Sequence, residues 1–318
     1  MNITTLSDWY AVYLTEDKSR SVRRNTIRNI RDRWTYNIEP IIGNRPISEI
    51  RPLDCQSVIN RMYDQGFAVT TMNLTRSIMH NIFESAVGYE IISENPVKRS
   101  VRVPARPKKE QIVLSLDEQM TLLDYLDNND FIYANQVRFI LQTGLRAGEL
   151  TGLKWENIDF DNSIVNISAT MEYVPEHGDF VRTEPKSNSA LRNINLTREA
   201  RNVLQLQYLL RKQYSGSPYS EHVFLNNKGM PVRHAAYDDS LKRLAKSAHI
   251  RSFSMHALRR TFATRCAESG MLANVLQYVM GHSDITTTLR YYVKVNETER
   301  ANEMVNFEKY LNEIKSAR

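Results

Sequence analysis

Two arginines and two histidines, spread over three short motifs, have the side chains that a phosphate-binding site needs. Arg146 lies in Thr-Gly-Leu-Arg-Ala-Gly-Glu-Leu, His256 and Arg259 in His-Ala-Leu-Arg, and His282 after Met-Gly. Arginine keeps its proton at physiological pH and presents a planar fork that matches two phosphate oxygens. His256 and Arg259 share one face of a helix because they are three residues apart. The set predicts a site that holds a phosphate with no metal and no cofactor.

Two adjacent tyrosines, Tyr291 and Tyr292, come after this set in the chain and could supply a nucleophile. A phenol attacks poorly at neutral pH because its unperturbed pKa is about 10. It becomes useful where cations stabilise the phenolate and the pentacoordinate phosphorane. A phosphotyrosyl bond would conserve the energy of the broken phosphodiester, so rejoining needs no ATP. The combination therefore points to covalent breakage and rejoining of DNA rather than to hydrolysis.

Two further charged residues could assist, although each has an ordinary explanation. Glu149 lies three residues after Arg146 and could orient its guanidinium, but a surface ion pair fits the spacing equally well. Lys186 lies between two segments of β character, where a mobile ammonium could protonate a leaving oxygen or simply be solvated. A lone arginine is most often a surface ion-pair partner, and a lone histidine or tyrosine is most often a packing residue. The signal therefore lies in the whole set.

Taken in order, the motifs over residues 110–300 resemble the tyrosine recombinase (phage integrase) family. They are Thr-Gly-Leu-Arg-Ala-Gly-Glu-Leu, Pro-Lys-Ser with Leu-Arg-Asn-Ile-Asn-Leu, His-Ala-Leu-Arg-Arg-Thr-Phe-Ala-Thr, Met-Gly-His-Ser-Asp-Ile-Thr-Thr-Thr, and a tyrosine. The chain looks most like integrases of conjugative transposons and phages of Gram-positive bacteria. The resemblance implies site-specific strand exchange through a 3′-phosphotyrosyl link and a Holliday junction, for integration and excision of a mobile element. It also implies a homo-tetramer on two double-stranded DNA core sites, with DNA-bending or excision factors as candidate accessory partners.

The resemblance also assigns roles at matching positions. Arg146 and Arg259 would clamp the non-bridging oxygens of the scissile phosphate. Lys186 would be the general acid for the 5′-oxygen, and His256 would assist proton transfer. His282 would donate a hydrogen bond to the phosphate in the transition state.

The nucleophile would be the tyrosine nine or ten residues after His282, which permits both Tyr291 and Tyr292. The sequence Tyr-Val-Lys-Val that begins at Tyr292 resembles the segment that begins at the nucleophile in related integrases, so we expect Tyr292. Two alternatives to a recombinase are a DNA-binding regulator that does not cleave and an enzyme like a type IB topoisomerase. The complete residue set argues against the first. A C-terminal amphipathic helix over Glu299–Ile314, which by resemblance would dock into a neighbouring protomer, argues against the second.

The candidate residues must be positioned by helices and strands, and the spacing of apolar residues predicts a mainly α protein with a small β-sheet. Residues 1–95 read as a four-helix bundle similar to the family's core-binding domain. Its second helix is predicted over Thr26–Ile38 and is stopped by Pro40 and the Gly43-Asn44 turn. Residues 96–109, rich in proline and basic residues, predict an extended basic linker. Residues 110–318 predict a mixed catalytic domain, with β character in 158–167 and 179–196. Many relatives carry an additional N-terminal arm-binding domain, which is either lacking here or has been removed.

The distribution of charge indicates where DNA would bind. The chain of 318 residues has a net charge of +6, and its first 110 residues hold 17 basic and 12 acidic side chains. The spacing of four arginines puts them on one helical face, and the linker holds six basic residues. We expect the four arginines and three of the basic residues of the linker to contact DNA phosphates. These residues are Arg20, Arg24, Arg28, Arg31, Lys98, Arg99 and Arg102. The base-reading residues are not predicted.

The sequence also predicts a cytoplasmic location. It has no secretory signal and no apolar run of the ~20 residues that span a bilayer, so no membrane association is expected. Cys55 and Cys266 lie far apart and are expected to be reduced, buried thiols.

Overall fold

The computed structural model describes residues 4–18, 22, 24–107, 111–175, 178–184, 188–292, 305 and 308–309. The chain divides into two compact units, Met1–Lys109 and Glu110–Arg318. Three predicted features fall outside the described residues: Arg20, Lys186 and most of the helix over Glu299–Ile314.

The first unit is a helical bundle around an aromatic and aliphatic core, as predicted. Its helices are α1 (Leu6–Val12), α2 (Arg24–Arg33), α3 (Pro52–Asp64) and α4 (Val69–Gly88), with π-helical extensions at Tyr13–Lys18 and Trp34–Gly43. Tyr10 stacks on Trp34 with 3.9 Å between ring centroids. The indole N–H of Trp9 donates to the carbonyl of Ile82 at 2.9 Å, which ties the first helix to α4.

The second helix does not stop at Pro40, so that predicted stop is wrong, but it does end at the predicted Gly43-Asn44 turn. It runs through Pro40 to Gly43 with π-helical turns from Trp34 onward. A proline breaks a regular α-helix because it lacks the N–H that donates four residues back, and the π-helical turns already replace that pattern of bonds. Ile42 beyond the proline is only 1% exposed, so its burial favours the continued helix.

The segment predicted to be an extended linker instead packs on the first unit. Val97 and Val101 are 3% and 2% exposed and belong to its core. Arg76 Nε donates to the carbonyl of Val101 at 2.7 Å. The side-chain oxygen of Gln56 accepts from the backbone N–H of Arg102 at 2.7 Å. The prolines and basic residues suggested an open segment, but the valines between them supply enough apolar surface to dock it.

The second unit is mainly helical with two small antiparallel sheets, in agreement with the predicted class. Its helices are α5 (Leu116–Asn128), α6 (Ala134–Thr143), α7 (Ala147–Gly152), α8 (Arg198–Leu210), α9 (His234–Ser247), α10 (Met255–Glu268), α11 (Ala273–Met280) and α12 (Ile285–Leu289). Strands β1 (Ile158–Asp159), β2 (Ile164–Ile167) and β5 (Arg192–Asn195) form one sheet in the order β1-β2-β5. Strands β3 (Thr170–Val174) and β4 (Asp179–Thr183) form a hairpin.

Short helices and glycines bring the candidate residues together in this unit. The short helix α7 packs closely on β3. The space at Gly152 is so small that an added Cβ would lie 3.0 Å from the backbone nitrogen of Met171. Helix α11 ends at Gly281, which has a left-handed φ of 61°. The two cysteines, Cys55 and Cys266, are unpaired and buried.

Within the described part of the chain, no helix is both long and apolar enough to cross a bilayer. The same residues contain no group of three or more His, Cys, Asp or Glu side chains arranged to hold a metal ion.

Candidate active site

The site is built around the turn between α6 and α7, where Gly144 ends the first helix. Gly144 has a φ of 63°, and a Cβ there would overlap the ring of Phe262 and lie 2.9 Å from Sδ of Met280. Only glycine fits a left-handed turn so close to two other helices. The turn sets the carbonyl of Gly144 against α10 and leaves Arg146 at the first position before α7.

The guanidinium of Arg146 is hydrogen-bonded to the protein on one side and exposed to solvent on the other. Its Nη1 donates to Oε1 of Glu149 at 2.7 Å, and its Nη2 donates to the carbonyl of Gly281 at 2.8 Å. The backbone N–H of Arg146 donates to Oε2 of the same glutamate at 2.9 Å. The side chain is still 41% exposed. The guanidinium is therefore fixed in orientation while part of its fork faces solvent, as an anion site requires.

Arg259 is the buried counterpart, with 2% of its surface exposed. It lies on α10, and its Nη1 donates to the carbonyl of Gly144 at 2.6 Å. Its Nη2 is 2.5 Å from the carbonyl oxygen of Met280 and 3.1 Å from Nε2 of His282. A guanidinium has five N–H donors, so these contacts anchor the group and leave donors that no described residue takes up.

His282 follows Gly281 and is fixed through both ring nitrogens. Nδ1 lies 2.9 Å from Oγ1 of Thr288, and Nε2 faces Arg259. Partial burial lowers the pKa of His282 to about 4, helped by the charges of Arg259, Arg146 and Arg192. The imidazole is therefore neutral at physiological pH.

His256 lies on the first turn of α10, one helical turn before Arg259, and is exposed. Desolvation by its neighbours lowers the pKa of His256, and so do the charges of Arg260, Arg259 and Arg146. A neutral imidazole at physiological pH can accept a proton. His256 thus has the state and the access that a general base needs.

A buried ion-pair network supports the site, and it includes a residue that the sequence analysis missed. Arg192 on β5 has a side chain with no exposed surface, and it donates to both carboxylate oxygens of Glu149 at 3.1 and 3.0 Å. Its Nε also donates to the carbonyl of Val279 at 2.7 Å, at the end of α11. Burial raises the pKa of Glu149, but the hydrogen bonds and charge of Arg192 outweigh this and hold it at about 2.

The network makes Glu149 the centre of the site rather than half of a surface pair. One carboxylate faces three guanidiniums, since Nη1 of Arg259 also lies 4.0 Å from Oε2 of Glu149. The excess of positive charge favours an anionic ligand. A sequence signal for Arg192 exists, because it occupies the same inward-facing register of β5 as the buried Ile194.

The two tyrosines lie beside the cluster but in different surroundings. The hydroxyl of Tyr292 donates to the carbonyl of Met271 at 2.6 Å. Burial raises the pKa of Tyr291, while the charges of Arg259 and Arg260 act to lower it. Burial also raises the pKa of Tyr292, without an opposing arginine. In this conformation Tyr291 is therefore the tyrosine that the arginine cluster influences.

The structure thus brings Arg146, Arg259 and His282 together around the end of α11. Arg259 contacts His282 directly, whereas Arg146 is linked to them through Glu149 and the carbonyl of Gly281. His256 lies one helical turn before Arg259. Both histidines and both arginines belong to the second unit.

The predicted DNA-contact residues that the structure describes lie in the first unit. Arg24 and Arg31 are exposed on α2, and Arg28 between them is half-buried. Lys98, Arg99 and Arg102 are exposed. Lys98 pairs with Glu94 at 2.8 Å, whereas the backbone of Arg102 is fixed by Gln56.

Comparison with known proteins gives matches over both units. The model of the phage integrase family matches residues 113–299, and the model of the phage integrase N-terminal SAM-like domain matches residues 5–63. The transposase from transposon Tn916 of Enterococcus faecalis is 29% identical over 263 residues, or 79% of this chain. The chain spans 65% of that transposase. A probable integrase of prophage ps2 of Lactococcus lactis is 23% identical over 92% of this chain and 79% of its own length.

Solved structures match over nearly the whole chain. The Tn1549 transposon integrase in complex with a circular intermediate DNA has a TM-score of 0.83 and 25% identity, over 95% of this chain and 99% of that one. The lambda integrase tetramer bound to a Holliday junction has a TM-score of 0.68 at 18% identity, over 91% of this chain and 78% of that one. The second match shows a shared fold.

Proposed function

Because the chain belongs to the phage integrase family, we propose that it is a site-specific tyrosine recombinase that integrates and excises a mobile DNA element. It cuts and rejoins DNA through a 3′-phosphotyrosyl intermediate and a Holliday junction. The observation that carries the proposal is the grouping of Arg146, Arg259 and His282 around the end of α11, with excess positive charge. The transposase and integrase relatives point to the same activity.

Phosphate binding is the first step that the site supports. The outward N–H groups of Arg146 and the remaining donors of Arg259 receive the non-bridging oxygens of the scissile phosphate. Glu149 and the backbone carbonyls fix the guanidinium groups of Arg146 and Arg259 before substrate binds. Little reorganisation is therefore needed as the pentacoordinate phosphorane forms.

Proton transfer is the second step. The tyrosine oxygen attacks phosphorus, the bond from phosphorus to the 5′-oxygen breaks, and a 3′-phosphotyrosyl ester forms. Neutral His256 takes the phenol proton. Lys186, which lies outside the described residues, supplies the proton to the departing 5′-oxygen. Rejoining reverses the same transfers when a 5′-hydroxyl attacks the ester.

Tyr292 is the proposed nucleophile because the sequence Tyr-Val-Lys-Val, which begins at this residue, resembles the segment that begins at the nucleophile in related integrases. Its hydroxyl must then leave the carbonyl of Met271 when DNA binds. Tyr291 is the alternative, supported by the charges of Arg259 and Arg260 that act on it.

The first unit supplies the proposed DNA contacts outside the active site. Arg24, Arg28 and Arg31 follow one face of α2, and Lys98, Arg99 and Arg102 lie in the segment docked beside α3 and α4. Such contacts give affinity and salt dependence rather than sequence preference. The proposed active unit is a homo-tetramer on two DNA sites, acting in the cytoplasm with accessory DNA-bending or excision factors.

A nicked suicide duplex that carries the ends of the element tests the activity. The nick lets a short fragment diffuse away after cleavage and traps the covalent product. We expect a protein–DNA adduct on a denaturing gel in EDTA, and none with Arg259→Ala. A gel shift without an adduct would indicate the regulator instead. Relaxation of supercoiled plasmid without regard to sequence would indicate the topoisomerase-like enzyme.

A further inference from the structure

Thr288 is a fully buried polar residue in direct contact with the site. It lies on α12 between an exposed residue on each side, Thr287 and Leu289, and has no exposed surface. Its hydroxyl oxygen is 2.9 Å from Nδ1 of His282. A buried hydroxyl is costly unless it is hydrogen-bonded, so this contact explains why a threonine can occupy that position.

The contact fixes the tautomer of His282 in the free protein. A guanidinium can only donate hydrogen bonds, so Nε2 of His282 must accept from Arg259. The neutral ring then carries its proton on Nδ1 and donates it to the hydroxyl oxygen of Thr288. In this state Nε2 has no proton with which to bind a phosphate oxygen.

A hydroxyl partner permits the opposite tautomer as well. A carbonyl or carboxylate in this place would only accept and would hold the proton on Nδ1. A hydroxyl both donates and accepts, so Thr288 can rotate and donate to an unprotonated Nδ1. In this exchange Nδ1 gives its proton up to water and Nε2 takes a proton from water, so the number of protons on the pair does not change. A phosphate oxygen would replace Nε2 as the acceptor for Arg259.

We propose that Thr288 is a positioning residue that lets His282 change tautomer when the scissile phosphate binds, so that Nε2–H faces the phosphate. The inference rests on the proposed recombinase function and deepens it. The charged and titratable groups that face His282 are Arg259 and His256 on α10, Arg146 before α7, and Arg192 on β5. The cations among them oppose a charged imidazole, so tautomer exchange is the way in which His282 becomes a donor without gaining charge.

Two substitutions of Thr288 separate the hydroxyl from the packing. Thr288→Val keeps the shape and removes the hydroxyl, whereas Thr288→Ser keeps the hydroxyl and removes a methyl group. We expect Thr288→Val to lower the single-turnover cleavage rate constant at saturating suicide duplex by about tenfold or more, for the loss of one transition-state hydrogen bond. DNA affinity should be unchanged. Thr288→Ser should cleave close to the wild-type rate even where it is the less stable protein.

Imidazole ¹⁵N NMR of the full chain gives a readout that does not depend on cleavage. We expect Nδ1–H for His282 in the free protein, and Nε2–H when a variant with both Tyr291 and Tyr292 changed to Phe binds the duplex. Equal cleavage by Thr288→Val and the wild type, or Nε2–H in the free protein, would overturn the inference. If the wild type itself forms no adduct, the proposed function fails, while the free-protein NMR result still decides the tautomer.

Discussion

Neutralising Glu149 should expose how much the buried network contributes to stability. The side chain of Glu149 is 5% exposed and that of Arg192 is fully buried, and two hydrogen bonds join them. In Glu149→Gln, an amide NH₂ group would face the donors of Arg192, which would keep its charge without a counter-ion. Removing one partner of a buried ion pair in this way costs about 3–5 kcal/mol of unfolding free energy.

The pKa of Glu149 gives a second measure of the same interaction. It is held at about 2 instead of 4.5, which corresponds to about 3 kcal/mol. Because the folded-state pKa is depressed, this stability is present above the unfolded-state pKa. It is lost as the pH falls from about 4.5 towards 2.

Urea unfolding of the wild type and Glu149→Gln at several pH values would check both figures. The difference in unfolding free energy between the two proteins should be largest at neutral pH. It should shrink as the pH falls from about 4.5 towards 2. Asp239→Asn, which removes an exposed pair with Lys242, is the matched control and should stay close to the wild type at all pH values. A difference below about 1 kcal/mol at neutral pH, or one that does not change with pH, would refute the reasoning.

Two further predictions concern the turn before His282 and the DNA face of α2. Gly281→Ala should lower stability by about 2 kcal/mol and slow adduct formation, because its Cβ would lie 2.9 Å from Nη1 of a buried arginine. Gly270→Ala is the control, because Gly270 has a similar backbone angle and an added Cβ would meet no neighbour within 4 Å. In thermal unfolding this variant should lose less stability than Gly281→Ala, and it should still cleave DNA. Changing Arg24, Arg28 and Arg31 together to alanine should reduce the slope of log affinity against log salt concentration by about 2 to 3. An unchanged slope would show that these three arginines of α2 do not contact DNA phosphates.

The sequence allows prediction of the residues that lie in short, ordered motifs. Arg146, His256, Arg259 and His282 could each be identified because the chemistry of phosphate transfer restricts their type and the motifs fix their order. The helical class follows from periodic apolar residues. Four of the five described strands lie in the two segments of predicted β character, whereas β3 lies between those segments and was not predicted. The shared location of these residues depends on the family resemblance, since more than 130 residues separate Arg146 from the carbonyl of Gly281 that it contacts.

Contacts that depend on tertiary packing could not be predicted. The alternation along β5 marks Arg192 as inward-facing, but its partner Glu149, which lies 43 residues earlier, can be identified only once the strand is placed in the fold. Three consecutive threonines, 286–288, are indistinguishable by type, and only the fold decides that Thr288 is the buried one. The docked valines Val97 and Val101 were obscured by the basic and proline residues around them.

Mapping the covalent link on the trapped adduct tests the central claim most directly. Trypsin should release the peptide Tyr291–Lys294, because Arg290 precedes it. We predict that mass spectrometry of the adduct formed in EDTA and digested with nuclease will find a 3′-linked nucleotide on Tyr292. A nucleotide on Tyr291 would retain the chemistry and reverse the choice of nucleophile. An adduct on any residue outside this peptide, or none with the cognate DNA, would contradict the account.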